Sequence, residues 1–455
     1  MQSLQSSSSP TRPRPTLSER LYHPAAVWII RLIIGATFIL SGFVKGIDPW
    51  GSVIKISEYF TVWGWDVPRT LITCAAFALG AYEFVWGCLL LLGCYRRASV
   101  WLLTLMMAGM LPLTFYIALF SPVDDCGCFG DFLILSNTAT FVKNLFITAG
   151  LVYLIMYNTR VQGLFFPYVQ WIVGGLVTLY ILIIEFYGYN IQPLIDFRQY
   201  AIGTELVSNQ TDDETDDSDS SGETVYEYIY SKDGEERTFT IDALPDSTWT
   251  FIDRRLVSGG EMTTDGFTVL EDGEEITADV IDTEAEQFIV TIPDINNVDL
   301  SYTYLINELN DFITERGGSL VALINSDEQG LERWKDISMA SYPIYQADPK
   351  MLKELARGNA ALVYLKGGVV KWKRTLSSIG YTFVTETHPD RLIRSLDPET
   401  GYVLKLVTTP FVIILLVMLA LDRSGKLLAW HLARRRRRKA DEKSKTGDAP
   451  DQPTD

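Results

Sequence analysis

Cysteine and histidine are scarce in this chain of 455 residues, with 5 of the first and 3 of the second. All the cysteines lie between Cys74 and Cys128, so the polar remainder of the sequence has no thiol with which to exchange disulfides. His23, His388 and His431 are scattered. They make a Cys/Cys/His metal site a weak pattern, with Cu(I) on a thiol pair its one version worth testing, and no metal is assigned to the site. Positive charge is also in deficit: 39 Lys and Arg face 56 Asp and Glu, a formal net charge of −17. That balance excludes a nucleic-acid partner for the chain as a whole. Its exception is the basic run 434–439.

Long apolar runs, in contrast, are abundant. Six stretches, at 27–44, 71–92, 99–120, 139–157, 169–186 and 402–421, are apolar enough to span a bilayer, which takes about 20 residues for a core of ~30 Å. No small-residue cleavage site follows the first, so it is expected to be an uncleaved span and not a signal peptide. Arg12, Arg14 and Arg20 precede the first run, Arg96 and Arg97 join the second and third, Arg160 joins the fourth and fifth, and 434–438 follow the sixth. With six spans all four clusters fall on one side, which predicts an inner-membrane, multi-pass protein with both termini cytoplasmic. The aromatic segment 49–68 is then an outer-face interfacial element, read as an aromatic belt or as the cap of a cofactor site.

The expected organisation is a cytoplasmic tail at 1–26, a four-helix membrane domain at 27–158, a fifth span at 169–187, and an acidic disordered linker at 204–222. A β-rich module at 223–286, an α/β domain at 287–376, a sixth span at 402–421 and a basic cytoplasmic tail at 422–455 complete it. The linker is Asp, Glu and Ser with little apolar residue to anchor it. Turn signals at Asp233-Gly234 and Asp272-Gly273 punctuate the β module. From Gln287 onward the pattern predicts β-α-β-α-β-α-β-β, a three-layer α/β arrangement. That order resembles the thioredoxin-like fold. Ala360 stands where this fold places its cis-proline, and 293–299, where its two-cysteine motif would lie, holds no cysteine. The resemblance therefore implies a periplasmic domain that binds or docks without redox chemistry.

Cys126-Gly127-Cys128 lies between the third and fourth apolar runs, at the mouth of the helix bundle. Outside the cytoplasm such a pair can oxidise. A disulfide across one residue closes a small strained ring that is easily reduced. Lys143 and Lys45 are expected at the same depth, where a cation lowers a thiol pKa, and Cys74 is a possible third sulfur. The alternative is a tight buried turn with structural thiols. Cys88 and Cys94 read as small apolar side chains. Glu83 is costly in hydrocarbon, and Arg31 is placed to reach toward it, as a structural pair or part of a proton path. Lys45 and Asp48 are expected to form an interfacial ion pair.

Arg31-Leu32-Ile33-Ile34-Gly35, Ser41-Gly42-Phe43-Val44-Lys45, Asp48-Pro49, Glu83 with Gly87, and Cys126-Gly127-Cys128-Phe129-Gly130 followed by Lys143-Asn144 together resemble the DoxX-like superfamily, most closely its methylamine-utilisation MauE branch. The resemblance covers the first four spans, about a third of the chain. It implies a membrane thiol-disulfide maturation factor that helps a periplasmic protein client acquire disulfides, with Cys126 and Cys128 catalytic and Lys143, Lys45, Cys74 and Glu83 in support. A quinone is a possible electron partner. The competing function is a non-enzymatic membrane scaffold that presents its periplasmic domain to an envelope complex.

Overall fold

A computed structural model describes residues 23–123, 125–207, 225–232, 235–240, 250–258, 267–271 and 274–445. The described residues form two compact units, one reaching Phe197 and resuming at Pro398, the other running from Arg198 to Asp397.

The first unit contains six helices long and apolar enough to cross a membrane. They are α1 (Pro24–Ile47), α3 (Arg69–Leu92), α4 (Arg96–Phe120), α5 (Asn137–Tyr157), α6 (Gln170–Asn190) and the first part of α12 (Thr400–Lys445). A shorter helix, α2 (Pro49–Val62), follows α1 directly. Asp48 causes that break: its carboxylate caps α2 by accepting from the Gly51 N–H at 3.0 Å, and Pro49 occupies the first turn, where its missing N–H costs nothing. The expected Lys45–Asp48 ion pair is therefore not formed. Helices α1 and α3 cross with their backbones almost touching, since a methyl group at Gly42 would lie 2.3 Å from the Phe84 nitrogen. Small residues at such crossings allow the close approach that membrane helices use for packing.

Arg31 is fully buried in α1 and does not reach Glu83. Its guanidinium donates to the Asn158 side chain, to the Asn158 carbonyl at 2.7 Å and to the Val161 carbonyl at 3.2 Å, holding the turn after α5. The planar fork of arginine lets it bond several oxygens of this turn at once. Helix α12 packs on α6, where Tyr180 stacks on Phe411 with centroids 4.1 Å apart. It does not stop at the expected 421 but continues as helix through the basic run to Lys445.

The second unit is built on a seven-stranded mixed sheet in the order β10-β9-β6-β7-β8-β4-β5. Its strands are β4 (Val269–Glu271), β5 (Glu274–Glu275), β6 (Glu286–Ile292), β7 (Ser319–Ile324), β8 (Ile344–Ala347), β9 (Ala361–Lys366) and β10 (Val369–Thr375). β6, β7 and β8 run parallel, while β9 returns antiparallel beside β6 and β10 pairs antiparallel with β9 at the edge. Both faces are covered, so β6 and β7 are apolar almost throughout. Phe288, Val290, Ile292, Leu320, Ala322 and Ile324 face one core, and Ile289, Val321 and Leu323 the other. The first core is closed by α7 (Tyr302–Glu315) and α8 (Glu328–Ser338), the second by α9 (Pro349–Leu355).

Three expected boundaries move. Residues at the start of the linker are held by the sheet: Glu205 bridges to Val369 and Leu206 is buried, because an apolar side chain there completes the second core. The β-rich module divides, since β4 and β5 extend the large sheet through β8. Only β1 (Val225–Lys232), β2 (Glu235–Thr240) and β3 (Thr250–Ser258) form a separate three-stranded sheet. The α/β domain also runs beyond 376. Val384 of α10 (Tyr381–Glu386) and Leu392 and Leu396 of α11 (Pro389–Leu396) are buried in the first core. Residues 1–22 of the tail expected at 1–26, the acidic segment 208–222 and the two Asp-Gly turns lie outside the described residues, and Pro24 already begins α1.

Candidate functional site: a dithiol over a buried ion pair

Ser41 and Lys45 are four residues apart on α1 and therefore share one face. Both are buried. The Lys45 ammonium has three protons and meets three acceptors: Glu83 Oε2 of α3, Ser41 Oγ and the Cys128 carbonyl oxygen, each at 2.7 Å. Ser41 Oγ donates its own proton to the same Cys128 carbonyl at 2.6 Å. The ammonium is thus fully coordinated, the condition under which a buried charge is tolerated in apolar surroundings. Its structural product is the clamping of one backbone carbonyl of the Cys126-Gly127-Cys128 loop against α1.

The rest of the loop is fixed by α2 and α5. Tyr59 of α2 donates to the Cys126 carbonyl at 3.1 Å, and Lys55 pairs with Asp125 at 3.2 Å. Asp125 accepts from the Gly127 N–H at 2.6 Å. Gly127 has φ of +65°, a left-handed conformation in which a side chain is disfavoured, and a methyl group there would stand 2.7 Å from Lys55 Cγ. The turn places Cys126 Sγ 3.2 Å from Cys128 Sγ, both as free thiols. Lys143 of α5 lies 4.3 Å from the centroid of the Phe129 ring.

Beneath the loop is a small cavity of ≈30 Å³, against the roughly 10–15 Å³ that one water needs. Cys128, Lys143, Asn144, Glu83 and Ser41 supply its polar lining, and Met106, Met107 and Met110 of α4 an apolar wall. The two thiols are electrostatically unequal. Cys128 is pulled below the ordinary thiol range by the hydrogen bond from Cys126, then by the Lys143 and Lys45 charges. Cys126 is pushed up by that same bond and by burial. Tyr59 is pushed up by burial and by the neighbouring sulfurs, and so stays a proton donor to the loop. The surroundings thus favour a thiolate at Cys128 and a protonated thiol at Cys126.

Four of the six residues selected from sequence, Cys126, Cys128, Lys45 and Glu83, meet directly or through the Cys128 backbone, and Lys143 joins them at the cavity. Cys74 sits on an exposed face of α3 and is neither a lining residue of the cavity nor packed on Cys126. Cys88 and Cys94 are buried in the bundle, as small apolar side chains would be. Sequence reasoning missed Ser41, Tyr59, Lys55 and Asp125. The i, i+4 spacing of Ser41 and Lys45 was available as a signal. The contacts of Tyr59 and Lys55 depend on where α2 lies over the loop, which no spacing reveals.

No curated protein and no solved structure matches the chain. A domain of unknown function, DUF8463, matches residues 224–257. The family of methylamine utilisation protein MauE matches residues 23–157, from the start of α1 to the end of α5. The membrane-helix core that builds the dithiol site is thus the region similar to the MauE family.

Proposed function

We propose that this MauE-type membrane protein is a thiol-disulfide maturation factor for an extracytoplasmic client. The observation that carries the reading is the unequal dithiol, with Cys126 and Cys128 Sγ 3.2 Å apart over a fully coordinated lysine. In the oxidised form a client thiolate attacks the Cys126–Cys128 disulfide, forming a mixed disulfide and releasing one site sulfur. The second client thiol then displaces the first bond, leaving a client disulfide and a reduced site. Cys128 is the better leaving sulfur because the Lys143 and Lys45 charges stabilise its thiolate. Reoxidation calls for an electron acceptor such as a quinone, outside the chain.

The distribution of Arg and Lys supports an inner-membrane arrangement with both termini in the cytoplasm and the Arg198–Asp397 unit in the periplasm. Parallel β6 and β7 flanked by antiparallel β9 and β10, with helices on both faces, support a thioredoxin-like relationship for that unit. Ala360, at the place of the cis-proline, has φ of 132°. Next to it Asn359 closes on 293–299, accepting from the Asp294 N–H at 2.9 Å and donating to its carbonyl at 2.8 Å. With no cysteine in this unit, it serves as a client-docking domain. A scaffold function without chemistry requires the same domain and no cycling of the dithiol. Trapping of mixed disulfides by Cys126→Ser or Cys128→Ser separates the two: a client adduct supports the exchange reading, and none with either variant removes it.

A further inference from the structure

Glu185 of α6 lies outside the MauE-family region and has no part in the reactions above. It is 1 % exposed, and neither carboxyl oxygen has a hydrogen-bond partner among the described residues. The Ala81 N–H is the polar backbone group beside the carboxyl. The carboxyl fills a notch between α1 and α3. A methyl group at Gly80 would lie 2.6 Å from Glu185 Oε1 and 3.5 Å from Lys45 Cβ, and one at Gly46 would lie 3.5 Å from Glu185 Cγ. Gly80 therefore brings the Glu185 carboxyl beside the Lys45 side chain, whose ammonium reaches the dithiol loop through the Cys128 carbonyl. Of the elements packed on α6, α3 carries Glu83, α12 carries Thr408 bonded to Tyr180, and α2 carries Trp50 stacked on Tyr189. The cation beside the carboxyl at Gly80 is Lys45, whose three protons are already taken by Glu83, Ser41 and Cys128, while Arg69 of α3 lies over the Trp50 ring, 4.9 Å from its centroid.

An unpaired carboxylate at this depth is too costly to persist, so the side chain is an acid that carries a proton until the local charge changes. The charge does change with the redox state. In the reduced site Lys45 and Lys143 are balanced by Glu83 and the Cys128 thiolate. Closing the Cys126–Cys128 bond removes the thiolate charge and leaves the cluster one positive charge in excess.

We propose that Glu185 is a redox-linked proton site: it gives up its proton when the dithiol oxidises and takes one when the disulfide is reduced. The inference rests on the exchange reading above. The balance closes with a client dithiol as reductant. Its two thiols lose two electrons and two protons and form one S–S bond. The site's S–S bond breaks, Cys126 takes one proton, Cys128 remains a thiolate, and Glu185 takes the second proton. Without Glu185 the site could hold one proton for two electrons, and the second would have to be released to solvent from within the bundle.

The test uses the full-length protein in detergent micelles, reduced and then oxidised with ferricyanide, which accepts electrons and no protons. The pH is chosen where alkylation shows Cys128 already ionised. Thiol counting establishes that the disulfide forms, and an indicator dye in weak buffer counts the protons released. The expected result is two protons per dithiol for the wild type and one for Glu185→Gln. In reduced-minus-oxidised infrared spectra of the wild type, a deuterium-sensitive band of a protonated carboxyl is expected in the reduced state alone. This measurement needs no variant and stands if Glu185→Gln does not fold. Two protons from a folded Glu185→Gln, or a carboxyl band indifferent to oxidation, overturns the proposal while leaving the exchange reading intact. Failure of the disulfide to form overturns both.

Discussion

Lys45 and Glu83 meet at 2.7 Å between α1 and α3, and the same lysine holds the carbonyl of Cys128. A single buried ammonium thus joins the helix crossing to the dithiol loop. Removing Glu83 leaves the lysine charge buried and uncompensated, which costs about 3–5 kcal/mol. Glu83→Gln is expected to lower the thermal unfolding midpoint in detergent by far more than a surface substitution. The double variant Lys45→Met with Glu83→Met is expected to recover most of the stability yet loosen the loop, seen as faster alkylation of Cys126. Equal destabilisation by the single and double variants would show that the pair does not set the crossing.

Lys143 tests the electrostatics without touching the ion pair. Its charge favours the thiolate of Cys128, so Lys143→Met raises the thiol pKa and lowers the thiolate fraction at neutral pH. Alkylation of Cys128 should slow at pH 7. The sign reverses nothing at high pH: once both proteins are ionised, the rates converge, with the variant slightly faster because a more basic thiolate is the better nucleophile. A rate difference that is constant from neutral to alkaline pH would point to altered access in place of altered charge.

Gly127→Ala carries two penalties, a left-handed backbone worth roughly 1–2 kcal/mol and a contact with Lys55 Cγ at 2.7 Å. The expected outcome is a folded bundle in which oxidation of the dithiol is slowed, measured by thiol counting over time. Lys55→Ala should relieve the second penalty and restore part of the rate.

The apolar runs gave away the helices of the membrane domain because hydropathy over a span of this length leaves few alternatives. The strands β6 and β7 were equally legible, being apolar on both faces between helical periods. The dithiol and its flanking lysine were visible as residues, but their partners were not. Asp48 could as readily have paired with Lys45 as capped α2, and Arg31 could have turned toward Glu83 or Asn158. Those choices depend on helix rotation and crossing, which are set by contacts such as Gly42 against Phe84. Glu185 went unnoticed because one carboxylate near the end of an apolar run resembles an interfacial residue until α6 is seen packed against Gly46 and Gly80.

The second unit offers an independent check. A soluble fragment of residues 198–397 contains both cores and is expected to unfold cooperatively and to reduce no disulfide. One ending at 376 lacks Val384, Leu392 and Leu396, three buried apolar side chains each worth about 1.5–3 kcal/mol. Loss of cooperative unfolding is expected for the shorter fragment, by circular dichroism during heating.

Cycling of Cys126 and Cys128 is the claim on which the functional account turns, and acid-quenched thiol trapping in intact cells measures it directly. With a mass-shifting alkylating reagent, the account predicts that the pair is present in both dithiol and disulfide forms. Cys128→Ser or Cys126→Ser should yield a reducible adduct with a second protein, while Cys74→Ser leaves the pattern unchanged. A pair that remains fully reduced under all growth conditions, together with full function of the double serine variant, would contradict the account and leave a membrane scaffold in its place.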